Sequence, residues 1–163
     1  MEFRIVHRFS CTPAAYWAMT HDPAYEQSFR GDDVDTEVLE AREDGTHSFE
    51  RRRVSPRKLL PPLMAKAIGR DRLSYVQEVD FDNAGFGSTW RVVSDIMPDK
   101  VRCAGTSKVL TVEGGCERVM QGRIDVEIFL VGGQIEKHIL KELQSGYDRA
   151  AEIMSRMLAE RKA

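Results

Sequence analysis

The stretch RLSYVQEVDFDNAGFGSTWRVVSDIMPDKVRCAGTSKVLTVEGGCERVMQGRIDVEIFLV, residues 72–131, decides the fold. It divides into four alternating runs, residues 72–82, 86–96, 101–112 and 117–131. Period-two alternation sends successive side chains to opposite faces of a strand. The turns between the runs are Asp82-Asn83-Ala84-Gly85, Met97-Pro98-Asp99-Lys100 and Gly114-Gly115. The last is read as a two-residue hairpin loop made of glycines. Hairpin-linked strands of this kind form an antiparallel sheet with one face on a core.

These turn lengths imply a register. Phe81 opposite Phe86 sets Val79 against Ser88 and Gln77 against Trp90. Ile96 opposite Val101 sets Ser94 against Cys103 and Trp90 against Ser107. Glu113 opposite Cys116 sets Ser107 against Gly122 and Gly105 against Ile124. One face stays consistent across all three hairpins, as sheet geometry requires. It carries Met120, Ile124, Val126, Ile128 and Leu130, yet its middle is small or polar: Ser88, Ser94, Gly105, Ser107, Gly122 and Gln77. Interiors are filled to crystal-like density, so this face is expected to enclose a cavity fringed by Tyr75, Phe81, Trp90 and Tyr147. Gly146 falls near the inward stripe of the last helix, where a side chain would otherwise enter that space. The competing reading has Leu143 and Tyr147 of that helix filling the gap.

Working outward, residues 134–162 read as one long helix, with Ile135, Ile139, Leu143, Tyr147, Ala150, Met154 and Leu158 at the helical period. Towards the N-terminus, residues 2–10 alternate as a half-buried strand, with Phe3, Ile5, His7 and Phe9 on one side. Thr12-Pro13 caps a short helix over 14–20, and Asp22-Pro23 opens a second to about Phe29. Gly31-Asp32-Asp33 breaks the pattern. Two strands follow at 34–42 and 46–54, turned by Glu43-Asp44-Gly45. Residues 59–68 are apolar, with Pro61-Pro62 at the front and Gly69 at the end, and suit a short helix or ordered loop. The order predicts one α+β domain over 1–163: a seven-stranded curved antiparallel sheet wrapped around a long C-terminal helix, with two short helices after strand one.

Composition agrees with a globular chain: 42% hydrophobic, 31% charged, net charge −2. That balance gives no general attraction to nucleic acid or to an anionic membrane. Cys11, Cys103 and Cys116 match no zinc or redox spacing and read as reduced thiols. No signal-peptide pattern opens the sequence, and no apolar run reaches membrane-spanning length, so a cytoplasmic location is expected.

The chain resembles the START/SRPBCC superfamily of helix-grip, birch-pollen-allergen-like domains across nearly all its length. The likeness rests on the element order, the opening strand at residues 3–9, and the Thr12-Pro13 and Asp22-Pro23 helix starts. It also rests on Gly132-Gly133-Gln134-Ile135-Glu136-Lys137 leading into the closing helix. It is nearest a bacterial branch without an assigned function. The resemblance implies a cavity between sheet and helix, and members that carry lipids, sterols, polyketides or hormones. A minority are cyclases or other enzymes.

The expected cavity residues are His7, Tyr75, Gln77, Ser88, Trp90, Gly105, Ser107, Gly122, Leu143 and Tyr147. Arg51 and Arg53, with Leu60, Leu63, Met64 and Ile68, are expected at its entrance, the apolar set forming a lid that opens for ligand or touches a membrane transiently. The basic cluster Arg51-Arg52-Arg53 reads either as a head-group contact or as a solvated strand face. His7 reads as a core histidine bonded to backbone, or alternatively as a cavity donor or general base. No catalytic set, metal ligands, cofactor fingerprint or nucleic-acid patch is recognised. The function expected is a carrier or sensor of a hydrophobic small molecule, monomeric or weakly dimeric. A cyclase or aromatase, or a regulatory interaction module, is the alternative.

Overall fold

The computed structural model describes residues 1–30 and 33–162. The break expected at Gly31 and Asp32 lies outside the described residues. The elements are β1 (Glu2–Phe9), α1 (Pro13–Thr20), α2 (Pro23–Arg30), β2 (Val34–Asp44), β3 (His47–Pro56), α3 (Pro62–Ile68), β4 (Tyr75–Asp82), β5 (Gly87–Ser94), β6 (Val101–Val112), β7 (Gly115–Val126) and α4 (Gly132–Lys162). The strands form one seven-stranded antiparallel sheet in the order β1-β7-β6-β5-β4-β3-β2. α4 lies against β7 and β1, with α1 and α2 packed beside it. This is the helix-grip arrangement.

Local chemistry explains the element starts. Thr12 Oγ1 accepts from the Ala15 amide at 3.2 Å, and Pro13 occupies the first helical position, where its missing N–H costs nothing. α3 begins after Pro61 and stops at Gly69, which adopts φ 79° and donates its N–H to Ala65 O. α4 has 31 residues, roughly 46 Å at 1.5 Å per residue. Its buried stripe includes Ile135, Ala150, Ile153 and Met154. The edge strand β2 is almost wholly exposed; it carries Glu37, Glu40, Arg42, Glu43 and Asp44 and shifts register between Val38 and Glu40. Charge and a bulge of this kind discourage edge-to-edge pairing.

All three expected hairpin registers are corrected by two residues. Phe81 pairs with Ser88, Trp90 with Gly105, and Gly105 with Gly122. The causes lie in the turns. At the first, Asp82 Oδ1 accepts from the Gly85 amide at 3.0 Å and Phe86 turns left-handed at φ 53°, so Phe86 belongs to the turn and not to the strand. At the second, Ser94 Oγ binds both the amide and the carbonyl of Ile96, closing β5 early, and Met97 adopts φ 53°. At the third, the loop is Glu113-Gly114, with Gly114 at φ 81°. Because each slip is an even number, every residue keeps its face. β7 also ends sooner than expected. Ile128 still packs on the core, but Leu130 turns outward at φ 66° and is 83% exposed.

The core has two parts. One gathers Ile5, Leu60, Met64, Trp90, Cys103, Met120, Ile124, Val126 and Ile135. The other, at the α1 end, gathers Phe9, Tyr16, Met19, Tyr25, Val109, Cys116, Ala151, Ile153 and Met154.

Candidate functional site

The corrected register turns the inner face into rows running across the sheet. One row holds His7, Arg118 and Val109; the next holds Ile5, Met120, Ser107, Ser88 and Phe81; the next holds Phe3, Gly122, Gly105, Trp90 and Val79. Beyond them lie Cys103, Val92 and Gln77, then Ser94 and Tyr75.

The two glycines are not vacant floor. A methyl group on Gly105 would stand 2.7 Å from Trp90 Cζ2, and one on Gly122 would stand 3.0 Å from it. The Trp90 indole therefore lies over both, against Phe3 at 6.1 Å between ring centroids. That part of the expected cavity is filled by large-to-small complementarity within the sheet. Trp90 Nε1 is buried and has no hydrogen-bond partner.

Beside the indole the inner face is not sealed. Tyr75, Gln77, Val79, Ser88, Val92, Ser107, Leu143 and Tyr147 all point inward yet remain only half-buried. Gly146 shares the flank of α4 that carries Ile135, Ile139 and Ile153, and a methyl group built on it meets nothing within 4 Å. Burial pushes the Tyr75 hydroxyl up to about 12, with Cys103 adding to the shift. It raises the Tyr147 hydroxyl as well, and the Cys103 thiol goes up to about 12. The two tyrosines lie deep, uncharged at neutral pH, and yet remain only half-buried. Such a lining gives apolar contact plus neutral O–H donors, the usual make-up of a small-molecule pocket.

At the α1 end stands Arg118, which the sequence reading missed. It lies on the inward face of β7 and is 6% exposed. It donates from Nη1 to Tyr16 Oη at 3.1 Å, and from Nη2 to His7 Nδ1 at 2.8 Å and to Tyr147 O at 3.4 Å. Its guanidinium sits over the rings of Tyr147, at 5.0 Å, and Phe9, at 5.9 Å. Arginine only donates, so His7 Nδ1 must accept, and His7 Nε2 then carries the proton given to Asp148 Oδ1 at 2.7 Å. The expectation of a backbone-bonded histidine is thus corrected: His7 bridges two charged side chains. Asp148 is held below the usual carboxylate range, first by that bond and next by Gln144.

The entrance residues divide. Leu60 and Met64 are buried and Ile68 packs on the same cluster, whereas Leu63 is 53% exposed. Arg51 and Arg53 are corrected to the outer face: Arg51 pairs with Glu78 at 3.4 Å and Arg53 with Asp95 at 3.7 Å. Arg52 is the inward member of the cluster, beside Glu50 and 3.6 Å from Glu26 of α2. A surface cleft of about 590 Å³ opens between Asp35, Ser55–Arg57 and Gly69–Ser74; its Leu73 packs on the same cluster as Met64, and it includes none of the expected cavity residues. It is rim, because the deep accessible groups lie elsewhere. His21 binds Trp17 O at 2.9 Å, and His47 is exposed. Among the described residues no cluster of His, Cys, Asp and Glu is disposed to hold a metal, and no helix is long and apolar enough to cross a membrane.

Sheet, gripped helix and half-open interior make a domain of the helix-grip fold. Within it, the chain belongs to the family described as a protein of unknown function, DUF2505, whose model matches residues 4–158. Several solved structures share the fold. TTHA0849 from Thermus thermophilus is 17% identical, with all of both chains covered and a TM-score of 0.69. The Zhui aromatase/cyclase from Streptomyces sp. R1128 is 10% identical, covering 100% of this chain and 96% of that one, at 0.70. Ara h 8.0201 is 9% identical, covering 94% and 97%, at 0.66. No curated protein matches.

Proposed function

We propose that the protein binds a hydrophobic or amphipathic small molecule, of lipid, sterol or polyketide-like kind, between sheet and α4, as a carrier or sensor. The observation that carries this is the coincidence of depth and accessibility at Tyr75 and Tyr147, next to open space at Gly146. Ligand enters past α3, whose Met64 and Ile68 close the sheet end together with Leu60 just before the helix. The rim there exposes Leu59, Leu63, Phe129 and Leu130, apolar enough for brief membrane contact. One structural neighbour is an aromatase/cyclase. The enzymatic reading has less support here, because both nitrogens of His7 are already engaged, by Arg118 and Asp148. The test is native mass spectrometry after gentle purification, with a fluorescent fatty-acid probe added to the delipidated protein. Bound lipid mass or probe uptake is expected. A protein that is ligand-free and leaves the probe unchanged sinks the proposal.

A further inference from the structure

The charge of Arg118 is the feature of the interior that needs a partner. A buried guanidinium is costly unless it is paired and hydrogen-bonded. Here its three acceptors, Tyr16 Oη, His7 Nδ1 and Tyr147 O, are all uncharged groups. Among the described residues no carboxylate forms an ion pair with it. Asp148 is one residue removed, through His7, and its side chain is 51% exposed. Arg118 Nε has no acceptor at all. Tyr16 Oη spends a lone pair on Arg118, which leaves its own proton to donate. The row beside Arg118 holds the hydroxyls of Ser107 and Ser88, and another unpartnered donor, Trp90 Nε1, belongs to the row after that. Cation, phenol, two hydroxyls and an indole N–H thus border one strip of the inner face, between the two halves of the core. Two buried donors beside it, Arg118 Nε and Trp90 Nε1, have no acceptor.

We infer that Arg118, with Tyr16 beside it, anchors the anionic head group of the ligand, and that the ligand is an amphipathic carboxylic acid. This rests on the cavity reading above and narrows it. The head lies near Arg118 and the row of Ser88 and Ser107. The apolar tail runs beside the Trp90 indole, along the half-buried Val79 and Val92, toward Ile68 and Leu143. Asp148 and His7 hold the guanidinium in place from the other side, and the carboxylate replaces the missing counter-charge.

Dodecanoate and dodecanol are matched probes, equal in tail and different in charge. Their binding to the full chain after delipidation is measured by calorimetry and by Trp fluorescence. Dodecanoate is expected to bind at least about tenfold more tightly, and Tyr16→Phe and Arg118→Gln are expected to shrink that ratio toward one. Circular dichroism checks that the variants fold. The wild-type ratio is decisive even where Arg118→Gln does not fold. Equal binding of both probes overturns the anchor and leaves the cavity standing. Binding of neither overturns the cavity, and the anchor with it.

Discussion

Trp90 is the residue on which the interior turns. Its indole occupies the space that Gly105 and Gly122 leave. Gly105→Ala would put a methyl group 2.1 Å from the Gln121 carbonyl oxygen, a backbone atom that has no room to retreat. We expect at least about 1–3 kcal/mol of destabilisation, read as a lower urea midpoint with an unchanged slope. The thiols give a second check. Burial pushes Cys103 up to about 12 and Cys116 up to about 12, the latter helped by Cys11, whose sulfur is 3.8 Å away. Thiolate is the reactive form. At pH 8 iodoacetamide should therefore label Cys11 alone in the folded protein and all three in urea, as peptide mass spectrometry would show. Labelling of Cys103 at the rate of Cys11 would contradict the packing. Much of this was legible residue by residue: the small centre of the inner face stood out because glycine and serine interrupt an apolar alternation. Which large side chain would lie on it was not legible, since that depends on a register two residues away. Arg118 was legible in principle. It shares the inward parity of Met120 and Ile124, and an arginine at an inward position is the informative exception.

Among the elements, α3 and α4 make separable claims. Met64 faces the core at 8% exposure and Leu63 faces out at 53%. Met64→Ala should cost about 2–5 kcal/mol and Leu63→Ala under about 0.5 kcal/mol, both by chemical denaturation. Similar costs would mean that α3 is rotated from the orientation described. On α4, Gly146→Leu should act in two directions at once. Leucine replaces a helix-interior glycine, for a gain of up to about 1 kcal/mol, while its side chain enters the free space and lowers affinity for a fatty-acid probe. Greater thermal stability with undiminished probe binding would show that Gly146 does not border the site. Element order was readable from periodicity and turn chemistry alone, and β6 matches its expected bounds, Val101–Val112. The strand ends were harder. Ser94, Phe86 and Leu130 each leave the ladder through a local hydrogen bond or a left-handed backbone, which alternation cannot signal.

For the whole molecule, the two most exposed large apolar residues are neighbours. Phe129 and Leu130, 87% and 83% exposed, follow Ile128, which packs on the same cluster as Met64 and Ile68 of α3. If this rim is where ligand passes, Phe129→Asp with Leu130→Asp should slow uptake of a fluorescent fatty acid from lipid vesicles while leaving affinity for the free probe unchanged. A stopped-flow transfer assay checks it, and an unaltered transfer rate would remove the rim from the pathway. The sheet order has a further consequence, which concerns synthesis. β1 has β7 as its sheet partner, and Met1 donates its terminal ammonium to Ile124 O at 2.7 Å. Phe9 and Gly115 are separated by over a hundred residues. At translation speeds of about 5–20 residues per second, β1 leaves the ribosome roughly 5–20 s before its partner β7. Ile5 and Phe9, buried in the finished domain, lack that partner through the interval.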